Sequence, residues 1–232
     1  MSQKKQHEIG IMAPLVQTVS VKAGCNLVAD IGCGLGYLGQ CLNELYNLKV
    51  VGFESKDSNC QGVRKPTTNS DTGSIMTRHM NVNASLQCTK AMRNAMVEGC
   101  PTSPVKENPG TCNDHLQSES CTRSLDAQNA SLHDRYPRVC LVGLHCCGDL
   151  TPVTLHQFCE LDLCQALVCM SCCYHRMSSD QDSKQFMYFP LSNELKQIYS
   201  RLTKCHGKTL NSFALRLACQ ETKTRWVSMF MV

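Results

Sequence analysis

The sequence predicts an α/β fold, a Rossmann-like, doubly wound, mostly parallel sheet, and three observations carry that reading. An apolar run from Leu27 to Ile31 holds an acid, Asp30, near its end and opens into three glycines, Gly32, Gly34 and Gly36. A second compact run, Leu48 to Glu54, closes on another acid about 20 residues after the glycines. Two more runs, Val139 to Leu144 and Ala166 to Met170, are apolar throughout, as strands covered on both faces are.

The elements follow in chain order. Ile9, Met12, Leu15, Val16 and Val19 have helical spacing, so a helix over 3–20 should lean on the sheet. Pro14 is expected to kink or interrupt it, because proline lacks an N–H and crowds the preceding turn. After the glycines, Tyr37, Leu38, Cys41, Leu42 and Leu45 make 36–46 the helix that crosses from strand one to strand two, a βαβ unit. From Ser55 to Arg138 small polar residues dominate, and such a segment buries too little to offset the entropy of ordering it. Two islands differ: Ser74 to Ser85 has room for a short strand, and Ser85 to Gly99 for a helix with Leu86, Met92 and Met96 inward. Residues 100–136 read as a disordered insert in a single domain spanning 1–232. Beyond the third long apolar run, Thr151 to Phe158 should be a helix with Pro152 in its first turn. The tail from Ser192 should hold one or two helices with Leu195, Ile198 and Leu202 on one face.

Composition excludes several classes. No stretch approaches the roughly 18 uninterrupted apolar residues of a membrane span, and MSQKKQHEIGIM lacks the apolar centre of a signal peptide. A soluble, intracellular protein is expected. The formal charge of +4 is too small to demand an anionic partner. Eighteen cysteines in a chain this long, several of them in apolar runs (Cys140, Cys164, Cys169), read as reduced, buried small hydrophobes rather than a disulfide scaffold.

The strand, acid, glycines, helix, strand and acid form a nucleotide-type cofactor site. Glycines let the backbone turn tightly into a helix whose free N–H groups face a ligand. Asp30 selects the ligand: a carboxylate at the strand end repels a pyrophosphate but suits the ammonium and sulfonium of S-adenosylmethionine. A literal G-x-G-x-x-G over Gly34 to Gly39 raises a dinucleotide reading, but Gly34 stands four residues past Asp30, where a helix should already have begun. Glu54 is placed to bind ribose hydroxyls.

MSQKKQHEI, DIGCGLGYL, LVGLHCCGDLTP, SCCYHRMS and FPLS, in this order, resemble the methyltransferase domain of the methyltransferase-like protein 25 family, over roughly residues 1–55 and 138–226. LRLACQETKTRW resembles a family segment too. The resemblance implies the sheet of an S-adenosylmethionine-dependent methyltransferase, with Asp30, Gly32, Gly34 and Gly36 at the cofactor's amino acid and Glu54 at its ribose. It implies no acceptor, and the chain ends before the last strands such a sheet has. One relative in the family is named for a ribosomal RNA adenine dimethylase domain. Adenine-N6 enzymes carry Asn or Asp with prolines after the fourth strand, whereas His145-Cys146-Cys147-Gly148-Asp149 stands here, so that name gains little support. A similar His-x-Cys-Gly with a later Cys-Cys-His occurs in a eukaryotic tRNA 2′-O-methyltransferase family, which tilts the acceptor toward RNA.

At the crevice, Asp149 and His145 are the candidate catalytic residues. Asp149 or Thr151 could equally cap the following helix, and His145 could be a general base or a structural histidine. Cys146, Cys147, Cys172 and Cys173 invite a zinc reading, but adjacent cysteines should direct their side chains apart, unlike C-x₂₋₄-C knuckles, so no metal is expected. Packing beneath the cofactor is the expected role of the four, with a nucleophilic thiolate as a lesser reading.

Overall fold

A computed structural model of the chain describes residues 1–62, 75–100, 136–181, 185–206 and 210–219. The insert expected at 100–136 lies almost wholly outside these residues, as do Trp226 to Val232 and most of LRLACQETKTRW.

Five strands, β1 (Leu27–Ile31), β2 (Lys49–Glu54), β3 (Ile75–His79), β4 (Val139–Cys147) and β5 (Cys164–Cys172), form one parallel sheet in the order β3-β2-β1-β4-β5. The order reverses between β1 and β4, and an open α/β sheet places its ligand crevice at the strand C-termini by such a reversal. The helices are α1 (Gln3–Lys22), α2 (Tyr37–Tyr46), α3 (Asp57–Gly62), α4 (Leu86–Gly99), α5 (Leu150–Glu160), α6 (Asn193–His206) and α7 (Ser212–Ala218).

The period-two alternation of the strands divides their side chains between two cores. Leu27, Ala29, Ile31, Val51, Phe53 and Leu141 pack with Met92 and Met96 of α4 and Val153 of α5. Val28, Val50, Cys140, Val142 and Val168 face the other way, against Ile9, Met12 and Val16 of α1 and Leu38 and Leu42 of α2. Each large aliphatic side chain fully buried this way contributes about 1.5–3 kcal/mol. Asp30 falls by the same parity on the α1–α2 side, a buried carboxylate in an otherwise apolar row.

Three expectations need correction. Helix α1 runs unbroken through Pro14. The carbonyl that proline leaves unbonded belongs to Gly10, on the exposed side where water reaches it, and the apolar face through Ile9, Met12, Ala13 and Val16 continues. In α4, Met92 and Met96 point inward but Leu86, in the first turn, is mostly exposed. The third concerns strand length: β4 and β5 continue past Leu144 and Met170, so His145 to Cys147 and Ser171 to Cys172 are strand residues. In α6, Leu195, Ile198 and Leu202 share one face as expected, about half exposed, while Tyr199 sets its ring edge-on to Phe189 at 6.1 Å.

Candidate functional site

The loop from Gly32 to Gly36 joins β1 to α2. Gly32, Gly34 and Gly36 all have positive φ (70°, 58° and 72°), a left-handed geometry that glycine adopts without the Cβ penalty. Gly36 is the N-cap of α2, so the helix starts at Tyr37 and Gly34 lies in the loop, not in the helix as its spacing had suggested. Gly39 serves packing: a Cβ there would come within 3.2 Å of Val50.

The loop is braced from β2. Gly32 and Cys33 donate their N–H groups to the Phe53 carbonyl, and Gly34 donates its N–H to Glu54 Oε2 at 2.8 Å. Glu54 Oε1 accepts from the Lys56 N–H at 2.8 Å and the Ser55 hydroxyl at 3.3 Å. The two acids and the glycines are thus one unit, but Glu54 spends much of its hydrogen-bonding capacity on backbone.

Asp30 is 2 % exposed and, among the described residues, no donor bonds its carboxylate. Burial first, and then the charge of Glu54, push its pKa from the ordinary 3.8 up to about 7. It lines a cavity of 70 Å³ with Gly32, Gly34, Tyr37 and His145. Lys5 lines the same cavity but holds its ammonium over the Tyr37 ring, 4.9 Å from the centroid. Gly32 also borders a larger cavity of 450 Å³ on the other side of the loop, formed by Phe53, Ser55, Met80 to Asn83, Cys147 to Leu150, Arg176 and Tyr188. Leu144 and His145 connect the small cavity to a third, apolar cleft of 310 Å³ between α1 and the ends of β4 and β5.

The residues at the ends of β4 and β5 are tied to each other. Asp149 lines the 450 Å³ cavity, but both its carboxylate oxygens accept from the Ser178 N–H, at 2.9 and 3.1 Å, and its side chain caps nothing. Thr151 donates its hydroxyl to the Cys146 carbonyl and does not cap either. Gly148, with φ +55°, approaches Arg176 so closely that a Cβ would lie 2.9 Å from its carbonyl oxygen. His145 is half exposed and pairs its Nε2 with Glu8 Oε2 at 3.1 Å. Of the four cysteines read as packing, only Cys146 is fully buried, against Thr154; Cys147 is exposed, and Cys172 and Cys173 are partly so. Sequence reasoning missed Met80 to Asn83, Arg176 and Tyr188. The first of these follow directly after β3, a position that could have marked them once that strand was placed; Arg176 lies within SCCYHRMS and Tyr188 just before FPLS, but neither segment's spacing shows that it reaches this cavity.

Residues 4–180 match the family model of a methyltransferase domain. The mouse protein "Probable methyltransferase-like protein 25" is 23 % identical over 85 % of this chain and 49 % of its own length. Its human namesake is 37 % identical over 28 % of this chain and 11 % of its own. The chain thus spans about half the length of the mouse relative, and less of the human one. It belongs to the methyltransferase-domain family.

Proposed function

We propose that this member of the methyltransferase-domain family is an S-adenosylmethionine-dependent methyltransferase, with the cofactor's amino acid end at Asp30 and the Gly32–Gly36 loop and its adenosine end in the 450 Å³ cavity. Asp30 carries the reading: a buried carboxylate that no donor among the described residues bonds, beside an open glycine loop, gains from a cationic ligand and loses from a pyrophosphate. The open space at the Cβ position of Gly34 supports it, since among the described residues nothing beyond its chain neighbours lies within 4 Å. Glu54 is assigned to the ribose through whatever capacity its backbone bonds leave. When bound, the cofactor supplies an activated methyl group. The chain's own residues hold it, keep water out and align an acceptor, which is where proximity and a fixed electrostatic environment contribute most.

The acceptor enters, on this reading, through the 310 Å³ cleft, whose walls Ile11, Met12, Leu15, Leu144 and Met170 suit a flat ring. RNA is the acceptor class we favour, on the likeness of His145-Cys146-Cys147-Gly148 and Cys172-Cys173-Tyr174-His175 to the tRNA 2′-O-methyltransferase pattern. An intracellular site of action fits its many thiols. A second reading, a protein that binds the cofactor without turnover, is favoured by one observation: Asp149 and His145 both have partners within the chain.

Calorimetric titration with S-adenosylmethionine, its demethylated product and NAD tests the site, and transfer of labelled methyl to fractionated RNA and protein tests the reaction. Preference for NAD overturns the cofactor assignment. Tight binding with no transfer to any fraction establishes the second reading.

A further inference from the structure

The expectation of no metal rested on adjacent cysteines pointing apart, and at Cys172 and Cys173 they do not. Strand β5 ends at Cys172, and Cys173 adopts a left-handed backbone, φ +49°, uncommon for a residue with a Cβ. That turn brings the Sγ atoms of Cys147, Cys172 and Cys173 within 4.8 Å of one another. Cys147 and Cys172 are register partners on β4 and β5, with their sulfurs 3.0 Å apart. His145, two residues earlier on β4, sets its Nδ1 4.0 Å from the Cys172 sulfur. Ligands of one tetrahedral zinc ion, with Zn–S of about 2.3 Å and Zn–N of about 2.0 Å, lie roughly 3.5–3.8 Å from each other, a spacing that these two separations bracket.

We propose that Cys147, Cys172 and Cys173, with His145 as fourth ligand, form a structural zinc site that ties the end of β4 to the end of β5. Glu8 fits this assignment. It accepts from the far ring nitrogen of His145, Nε2, at 3.1 Å, as carboxylates do that orient a metal-bound imidazole. A divalent cation draws such clustered sulfurs to one centre as thiolates. With four protein ligands the site is closed, so its work is to hold the two strand ends that border the cofactor cavity and the apolar cleft.

The test is the metal content of the full chain purified with a non-chelating reductant. The expected result is about one zinc per chain, and in X-ray absorption a first shell of about three sulfurs and one nitrogen. Cobalt loading should give thiolate-to-metal charge-transfer absorption. Cys173→Ser should retain less than about a tenth of the zinc, whereas Cys205→Ser, on exposed α6, retains all of it. The absorption measurement on the unsubstituted chain decides the matter even if Cys173→Ser fails to fold. A reduced chain that holds no zinc and takes up no cobalt into thiolate coordination overturns the proposal. So does a Cys147–Cys172 disulfide as the stable state of that reduced preparation.

Discussion

The glycine loop after β1 and the paired ends of β4 and β5 border the same crevice but are built in opposite ways. The loop is local: Asp30, Gly32, Gly34 and Gly36 lie within seven residues, and two adjacent residues of β2, Phe53 and Glu54, brace it. At the strand ends the contacts that tie β4 to its surroundings join residues distant in sequence: Asp149 to Ser178, Cys147 to Cys172, His145 to Glu8. A substitution in the loop should therefore change ligand binding and little else. One at the strand ends should change the architecture first and the ligand second.

The sharpest break in that contrast is expected from Gly34→Val. A side chain there must adopt a left-handed φ of +58° and project into open space assigned to the ligand. S-adenosylmethionine affinity should fall by more than about tenfold, the equivalent of ~1.4 kcal/mol, with far-UV circular dichroism unchanged. Unaltered affinity in a folded variant removes the loop from the site.

Asp30→Asn comes next, and pH sharpens it. The carboxyl's pKa rises from 3.8 to about 7 on folding, so between those values the folded state binds more protons than the unfolded one. This group's contribution to stability is therefore present below about pH 4 and is lost as pH rises toward 7, by up to about 1.4 kcal/mol per unit. A cationic ligand needs the ionised form, so affinity should climb over the same interval and level off above it. In Asp30→Asn calorimetry should find both slopes gone and, at pH 8, affinity about tenfold lower.

Asp149→Ala carries a smaller and different expectation. Losing a half-buried carboxylate bonded to the Ser178 N–H should cost about 1–2 kcal/mol in denaturant unfolding, with cofactor affinity changed less than about threefold. A large loss of methyl transfer at unchanged stability would instead place Asp149 at the acceptor. The smallest stability effect is expected from Glu8→Gln, under about 1 kcal/mol, because its pair with His145 is solvent-accessible. Its effect should surface in zinc retention, weakened by about tenfold, and not in S-adenosylmethionine titration.

The legibility of the two regions differs for the same reason. Periodicity placed β1, β2, α2 and α4 to within a residue or so, because a buried face imposes its period on contiguous residues. It misjudged Leu86, which at helical spacing shares the exposed face of Lys90, while Cys88, Thr89, Met92 and Met96 are buried. It also put a break at Pro14, where an exposed, solvated Gly10 carbonyl makes the missing bond inexpensive. Met80 to Asn83, Arg176 and Tyr188 carry no pattern of their own; they line the large cavity because β3, β5 and the segment after β5 deliver them there.

By itself the sequence determined the parallel α/β sheet, the glycine loop after β1 and the two acids beside it, because these depend on the side-chain period and on backbone freedom at glycine, both local properties. Only the tertiary structure decided that Glu54 braces Gly34, that Asp149 anchors Ser178 rather than capping α5, and that the thiols of Cys147, Cys172 and Cys173 converge. Those outcomes depend on strand register and on one left-handed residue, Cys173, and neither can be read from spacing along the chain.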